Sequence, residues 1–377
     1  MSHVLTIAAM VGGFFALIGP LVFLHELGHY IVGRLFGVKV DAFSIGMGRE
    51  LFGWTDRRGT RWKLSALPLG GYVKFRGDMG PASEPDPAWL ALPPEERAKT
   101  LQGKPVWQRF IVVAAGPITN FLIAILIFIV FFGIVGVPRT PPVIGQVLPN
   151  TAAAGAGLKP GDRVLSVAGR SVTRFEDMSQ MIALRPRIRV ELLIDRGGRQ
   201  LVVPVTPRVE AAQDPDGNRV EFGLLGVIAA SAVNTHPGPT VVVGEAFRET
   251  GRIVQTITDV IGQIAGGQRS VKDLGGPLKI AQFSGTVVKV GWLPFIRFMA
   301  LISINLGFIN LLPIPLLDGG HLFFYLIEGV RRRPLPAQAQ EWAFRSGLAL
   351  LLGFMLFVTV NDLDSFGVWR KLVGLIG

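Results

Sequence analysis

Long apolar runs constrain this chain more than any other feature of its sequence. No charged residue occurs between Val4 and Leu24, and roughly 20 apolar residues suffice for a helix to cross the hydrocarbon core of a bilayer. Three further runs follow, at Phe110–Val137, Phe298–Leu317 and Leu348–Val360. The last is long enough to cross only if residues 342–347 extend it. The sequence therefore predicts a membrane protein with about four transmembrane helices.

The distribution of charge indicates how the chain crosses the membrane. Residues 34–106 carry 12 of the 38 Lys and Arg residues, and Arg331–Arg333 form a second basic block. Basic residues accumulate in cytoplasmic loops, so both segments are predicted to be cytoplasmic and both termini to lie outside. The net charge of +11 does not indicate nucleic acid, because no basic stretch is interleaved with aromatic residues as in a nucleic-acid-binding module.

Several segments between the apolar runs have the composition of non-spanning structure. Strands are predicted at Asp41–Phe52 and Arg61–Phe75, on either side of a turn. Residues 80–96, rich in proline and acidic groups, are predicted to be a loose linker. Residues 139–230 regain glycine, proline and charge, which predicts a soluble α/β domain. Pro239–Ile264 has apolar residues at helical spacing and is predicted to be an amphipathic helix against the membrane or the helix bundle.

The motif His25-Glu26-Leu27-Gly28-His29 lies inside the first apolar run. Residues four apart lie on one face of a helix, so both imidazoles can bind one tetrahedral zinc ion with Glu26 beside them as general base. Ionisable side chains at membrane depth are costly and are functional by default. Because the chain has no cysteine, any metal must be held by His and carboxylate ligands.

Asp318 is the best candidate for the third protein ligand that a catalytic zinc requires. It ends the third apolar run in the segment Pro313–His321, where prolines interrupt the helix and glycines permit close backbone approach. Irregular backbone at membrane depth survives only when it is buried in protein or lines a water-filled cavity. The alternative for Asp318 is a helix cap near the interface. His321 is predicted to support the site and not to bind the metal.

The H-E-L-G-H motif, combined with N-L-L-P-I-P-L-L-D-G-G-H in a later span, resembles the site-2 protease family. The most similar members are the bacterial RseP-type regulated intramembrane proteases. Ser44–Gly48 and Pro68–Lys74 resemble the family's membrane-associated β-hairpin region. Gly116–Asn120 resembles its small-residue motif in the second span, and Leu274–Pro277 a Gly-Pro element after the soluble domain. The resemblance covers nearly the whole chain.

This resemblance implies a role for each residue of the two main motifs. His25, His29 and Asp318 would bind zinc, Glu26 would be the catalytic base, and Asn310 would help to hold the substrate backbone. Separately, the predicted hairpin offers an edge to which an extended substrate segment can add as a strand. The candidate substrate-binding residues there are Gly70, Gly71, Tyr72 and Val73.

The soluble segment resembles a PDZ domain in its bacterial, circularly permuted form. The similarity lies in Asn150–Asp162 followed by Val164–Gly169. Phe222–Val227 is a candidate peptide-binding loop that is equally compatible with an ordinary strand and turn. The segment has room for one such domain, which points to family members with a single PDZ domain. Peptide C-termini or substrate segments are the predicted ligands.

The predicted fold is a polytopic α-helical membrane protein with a cytoplasmic-side, membrane-associated β-hairpin region and one periplasmic PDZ-like α/β domain. Its predicted segments are transmembrane helix 1 at 1–33, the cytoplasmic loop at 34–106, transmembrane helix 2 at 107–138, the PDZ-like domain at 139–230, the amphipathic helix and connecting segment at 231–292, transmembrane helix 3 at 293–330, and the basic loop with transmembrane helix 4 at 331–377.

The predicted function is intramembrane proteolysis that depends on Zn²⁺, in the bacterial inner membrane with the active site near the cytoplasmic side. The resemblance implies single-span membrane proteins as substrates, such as anti-sigma factors and remnant signal peptides; membrane lipid is the other expected partner. Two alternatives stay open. One is a membrane-tethered PDZ scaffold with a non-catalytic zinc site, and the other is a metal transporter, which would spread ionisable residues along several spans.

Overall fold

A computed structural model describes residues 2–78, 91–213, 219–230, 233–268, 270–271, 275–333 and 335–366. These residues form two compact units, one from Met1–Phe131 and Ala246–Asp364, and the other from Phe132–Glu245. Most of the predicted linker at 80–96 lies outside the described residues, as does Leu274 of the predicted Gly-Pro element.

The described residues contain the following helices and strands. The helices are α1 (Ser2–Leu35), α2 (Pro94–Arg97), α3 (Val106–Val135), α4 (Ala152–Gly155), α5 (Phe175–Ala183), α6 (Pro239–Ala265), α7 (Pro277–Val290), α8 (Trp292–Leu311), α9 (Asp318–Arg331) and α10 (Ala337–Ser365). The strands are β1 (Val40–Thr55), β2 (Arg61–Phe75), β3 (Val137–Arg139), β4 (Ile144–Val147), β5 (Arg163–Val167), β6 (Arg170–Ser171), β7 (Val190–Arg196), β8 (Arg199–Val205), β9 (Arg208–Gln213), β10 (Arg219–Leu224), β11 (Val227–Ala229) and β12 (Val233–Thr235).

Four helices are long and apolar enough to cross a membrane: Thr6–Leu35 of α1, α3, α8, and Gln338–Ser365 of α10. This confirms the predicted number of spans and shows that residues 342–347 do extend the fourth. The third span differs from its prediction. It begins at Trp292 and ends at Leu311, so the apolar residues up to Leu317 form a separate irregular segment. Prolines in that segment stop the helix before the apolar run ends.

The segment after the second unit is more helical than predicted. The amphipathic helix is present as α6, but the connecting segment that follows it contains a further helix, α7. This helix packs closely against α1, because a Cβ on Gly285 would lie 2.7 Å from Met10 Cα and one on Gly13 would lie 3.2 Å from the Ser284 backbone. Small residues allow helix backbones to approach in this way.

The strands β1 and β2 form a folded sheet and not the simple hairpin that was predicted. Residues 52–55 pair with 61–64 beside the turn, whereas residues 42–45 are flanked by 61–64 on one side and by 71–74 on the other. Gly46 has a φ of +84° and Gly70 one of +76°, a conformation in which glycine carries no Cβ penalty. In the described chain no strand pairs with the second edge of residues 71–75.

This sheet packs on the first helix through an apolar core. Val40, Phe43, Val73 and Phe75 are buried together with Tyr30 of α1. Burial of this kind contributes roughly 1.5–3 kcal/mol for each large apolar side chain. The sheet is therefore held against the helix that carries the H-E-L-G-H motif.

The second unit is built on a four-stranded antiparallel sheet in the order β6-β5-β7-β8. Inward-facing residues such as Leu192 and Ile194 form its core with Met178 of α5. The candidate peptide-binding loop at Phe222–Val227 consists of the end of β10, a turn and the start of β11.

A buried ion pair supports one end of this sheet. Asp162 is 1% exposed and accepts two hydrogen bonds of 2.7 Å from the Arg196 guanidinium, together with one of 2.8 Å from the backbone N–H of Lys159. Burial raises the pKa of Asp162, but these donors outweigh it and hold the pKa below its usual value. Asp162 is therefore charged in the folded protein at neutral pH.

Candidate metal centre

The structure brings the three predicted ligands together. On α1, one helical turn places His25 Nε2 3.3 Å from His29 Nε2. Asp318 is the first residue of α9, and its Oδ2 lies 3.1 Å from His25 Nε2 and 3.5 Å from His29 Nε2. Both histidines are buried. Within the described part of the chain, these three residues are a group of potential ligands close enough to hold one metal ion.

The spacing of these ligand atoms fits zinc. Zinc binds imidazole nitrogen and carboxylate oxygen at about 2.0–2.2 Å in a tetrahedron, which separates neighbouring ligand atoms by about 3.3–3.5 Å. The observed separations of 3.1, 3.3 and 3.5 Å match this geometry. Two imidazoles and one carboxylate leave the fourth position for water, as in catalytic zinc sites.

The outward nitrogens of both histidines are held by α3. His29 Nδ1 donates to the backbone carbonyl of Val112 at 2.9 Å, and His25 Nδ1 lies 3.1 Å from the side-chain amide of Asn120. A histidine that binds metal through Nε2 carries its proton on Nδ1 and needs an acceptor there. The amide atom at this distance is Asn120 Nδ2, so a 180° rotation of the amide is needed to bring its oxygen, which has no hydrogen-bond partner among the described residues, to His25 Nδ1 as the acceptor. Asn120 is fully buried. Its backbone carbonyl in turn accepts from Ser303 Oγ at 2.8 Å.

Two glycines let α1 and α3 approach closely enough for these contacts. A Cβ on Gly116 would lie 2.2 Å from His29 Nε2, and a Cβ on Gly28 would lie 2.3 Å from Thr119 Oγ1. Neither position has room for a side chain. The resemblance of Gly116–Asn120 to a small-residue motif does not predict the contact of Asn120 with His25.

Glu26 lies against the open edge of the β1–β2 sheet. The backbone amide of Val73 lies beside its carboxylate. A Cβ on Gly71 would lie 3.1 Å from Glu26 Cγ and 2.9 Å from Val22 Cγ1, so the strand runs directly along α1. The structure thus places Gly71 and Val73, two of the predicted substrate-binding residues, next to the predicted base.

The segment 312–317 places Asp318 at the start of α9. Leu316 has a φ of +81°, which is strained for a residue with a branched side chain. A Cβ on Gly319 would lie 2.2 Å from the carbonyl oxygen of Leu312, so the segment folds tightly over the first turn of α9. On the other side, Gly347 of α10 packs against Pro315, since a Cβ there would lie 2.6 Å from the Pro315 ring.

His321 and Asn310 lie outside the metal group. His321 is buried with its ring 5.2 Å from that of Phe344 on α10, and it is not among the clustered ligands. Asn310 is half-buried in the last turn of α8, just before the irregular segment. Its predicted role towards substrate stays a prediction.

Four helices of membrane-spanning length, and two histidines and one aspartate that could hold a metal ion with a glutamate beside them, are the features of a membrane zinc metalloprotease. The chain belongs to peptidase family M50, whose family model matches residues 13–354. It is a site-2-type metalloprotease and an integral membrane protein, as the motifs predicted.

Named relatives agree with this assignment over most of the chain. "Putative zinc metalloprotease Atu1380" of Agrobacterium fabrum is 46% identical over 93% of this chain and 95% of its own length. "Putative zinc metalloprotease R01501" of Rhizobium meliloti is 44% identical with the same coverage. "Metalloprotease MmpA" of Caulobacter vibrioides is 38% identical over 93% of this chain and 94% of its own length. The predicted cofactor, zinc, is thereby supported.

Two solved PDZ domains are similar to part of the chain. The PDZ domain of an SdrC-like protein from Listeria monocytogenes is 16% identical, covering 23% of this chain and 84% of its own, with a TM-score of 0.19. The corresponding domain from Listeria innocua is 17% identical, covering 25% and 99%, with a TM-score of 0.20. Scores this low carry no argument about fold, so the PDZ-like character of the second unit stays a prediction.

Proposed function

We propose that this metalloprotease hydrolyses peptide bonds within the transmembrane segments of single-span membrane proteins. The observation that carries the proposal is the position of its centre: His25, Glu26 and His29 lie within a continuous apolar helix of membrane-spanning length. A protease that cuts soluble peptides has no need to bury its ionisable groups at that depth. By resemblance, the proposed substrates include anti-sigma factors and remnant signal peptides.

The residues of the centre have distinct proposed roles. His25, His29 and Asp318 hold zinc, which when bound supplies an acidified water and a polarised substrate carbonyl. Glu26 accepts the proton of the attacking water and passes it to the departing amine. Asn120 and the Val112 carbonyl keep the two imidazoles turned towards the centre.

The edge strand next to Glu26 is the proposed substrate-binding surface. A substrate helix hides its carbonyls in internal hydrogen bonds, so it must unwind before cleavage. The backbone amide of Val73 lies beside Glu26, and Gly71, two residues earlier, lies against the same side chain. An unwound segment that pairs with residues 70–73 would pass beside the base. Asn310 is proposed to hold the substrate backbone from the end of α8.

The proposed location is the bacterial inner membrane, with the metal centre near the cytoplasmic side. This sidedness rests on the basic residues of 34–106 and of Arg331–Arg333. The second unit is then periplasmic. As a PDZ-like domain it would bind peptide C-termini or substrate segments.

The test of the activity is a single substitution, Glu26→Gln, which keeps the size of the side chain and removes the base. A tagged single-span substrate is co-expressed with wild type, with Glu26→Gln, or with Glu341→Gln, an exposed glutamate that pairs only with Arg345 among the contacts of the described chain. We expect one zinc per chain in all three and cleavage only in wild type and Glu341→Gln. Cleavage in Glu26→Gln would assign the cut to another protease.

The same variants separate this function from the two alternatives. Peptide binding by a scaffold and transport of a metal ion would both survive Glu26→Gln. Zinc in wild type without cleavage of any substrate tried would favour one of them over proteolysis. Against transport, the potential metal ligands grouped in the described chain lie at one place and not along several spans.

The substrate-binding edge can be tested by crosslinking, because the chain has no cysteine of its own. Tyr72→Cys in the Glu26→Gln background is paired with a substrate carrying single cysteines along its span. Strand addition predicts disulfides at alternate substrate residues, since side chains alternate along a strand. Lys63→Cys, on an inner strand of the same sheet, is the control. Equal crosslinking from both positions would contradict the proposal.

A further inference from the structure

A cavity lies between the start of α3 and the end of α9, and none of the metal-centre residues lines it. Its volume is about 700 Å³, within the range of ordinary ligand sites. The walls are mainly apolar and include Val106, Trp107, Phe110 and Leu326. Nothing in the proposed proteolytic mechanism uses this cavity.

Glu328 lines the cavity, and its charge is compensated by Arg109, which does not line it. The Arg109 guanidinium donates to both carboxylate oxygens of Glu328, at 2.6 and 3.1 Å, and both side chains are largely buried. The same guanidinium lies 4.9 Å from the centre of the Tyr325 ring. These groups have their partners within the protein, so they offer no net charge to a ligand.

Two cations at the rim of the cavity are not compensated. Arg332 and Arg333 line it where α9 ends, and both are exposed. In the described part of the chain neither forms an ion pair. Arg331 belongs to the same basic block but does not line the cavity. The site therefore joins an apolar slot to two unpaired guanidinium groups at one end.

The slot lies at the level of a membrane interface. The spanning helix α3 begins at Val106, and Trp107 beside it is 57% exposed. Tryptophan is enriched where the hydrocarbon meets the headgroups. An apolar slot at this depth faces acyl chains, while arginines just past the end of α9 face headgroups. Basic pockets between transmembrane helices suit anionic lipid headgroups.

We propose that this cavity binds an anionic phospholipid, with an acyl chain in the slot and the phosphate on Arg332 and Arg333. Guanidinium groups are suited to phosphate because they donate paired hydrogen bonds. A zwitterionic lipid would place a cation near the same two arginines and would bind less well. Free phosphate could use the arginines but not the apolar slot.

The test uses full-length protein in nanodiscs of phosphatidylcholine, alone or mixed with phosphatidylglycerol. The readouts are the number of phosphatidylglycerol molecules retained, by native mass spectrometry, and the melting temperature. Arg332→Gln and Arg333→Gln should each weaken phosphatidylglycerol binding roughly five-fold, the effect of one basic residue near an anionic surface. Arg331→Gln removes the same charge from the same block outside the cavity and should have the smaller effect.

A fourth variant tests the slot without changing charge. A Cβ on Gly329 would meet its nearest neighbour, Val106 Cγ1, only at 4.0 Å, so Gly329→Leu extends into the slot without displacing backbone. Leucine is also the better helix former, so the variant should fold. We expect it to retain less phosphatidylglycerol than wild type even though both arginines are intact.

Three results would overturn the assignment. One is equal retention of the two lipids by wild type; another is equal loss in all three arginine variants, which would indicate a diffuse surface effect. The third is the same thermal stabilisation by inorganic phosphate in phosphatidylcholine, which would indicate a free anion site. If a substrate span occupies the slot instead, Gly329→Leu would raise the KM for cleavage while lipid retention stays unchanged.

Discussion

Gly116→Ala should empty the metal centre although it adds a single methyl group. The new Cβ would lie 2.2 Å from His29 Nε2 and 2.8 Å from His25 Cε1, whereas ordinary contact begins near 3.4 Å. Either the imidazole of His29 or helix α3 must therefore move by about 1.2 Å. Metal–ligand distances tolerate only about 0.2 Å, so a shift of this size removes His29 from the coordination sphere.

The expected loss of zinc affinity is at least 10- to 100-fold, the effect of losing a group that merely supports a ligand. Zinc retained by purified protein against a competing chelator measures it directly, and cleavage of the model substrate should fall in parallel. Gly133→Ala, on the same helix with nothing within 4 Å of the new Cβ, is the control and should retain zinc fully. Wild-type zinc affinity in Gly116→Ala would refute the close approach of α3 to the histidines.

Three further predictions follow from contacts around the centre and in the second unit. Asn120→Leu should lower zinc affinity about 10- to 100-fold in the chelator assay, whereas Asn120→Asp, which keeps an acceptor oxygen, should retain most of it. Gly347→Ala should displace the segment before the aspartate ligand and reduce zinc retention, while Gly353→Ala on the same helix, with nothing within 4 Å, should not. Arg196→Met should destabilise the second unit by about 3 kcal/mol, measured by hydrogen exchange, because it leaves Asp162 buried and charged. Since the folded-state pKa of Asp162 is lowered, the ion pair stabilises fully above its ordinary pKa of 3.8, and the difference between wild type and variant should shrink as the pH falls below that value.

The membrane helices were predictable because long apolar runs have few other solutions. The residues at which these helices end were harder to predict. The third span stops at Leu311 and not at Leu317, because prolines break the helix while the residues stay apolar. Helix α7 was missed because a 14-residue segment with lysines at both ends resembles neither a span nor an isolated amphipathic helix. Its stability comes from packing on α1, and sequence periodicity carries no information about such a contact.

The proposed metal ligands could be chosen from the sequence for a different reason, namely that helical spacing and the absence of cysteine leave few choices. The contacts that orient the two histidines could not be predicted from the sequence. Asn120 is 95 residues from His25 in sequence, and the contact between them depends on how closely α1 and α3 pack. Likewise, the folded sheet that brings Gly71 beside Glu26 depends on bends at glycines whose φ angles a strand pattern does not specify.

Several residues around the centre are energetically unfavourable for the helix or loop in which they lie. Gly28 and Gly116 lie inside continuous helices, where glycine costs roughly 1 kcal/mol relative to alanine, and Leu316 adopts a strained positive φ. Each is explained by the same requirement, that two imidazoles, one carboxylate and a base meet at one point inside an apolar helix bundle. Because Gly116 and Leu316 lie outside the H-E-L-G-H motif and far apart in sequence, they support a catalytic centre independently of that motif.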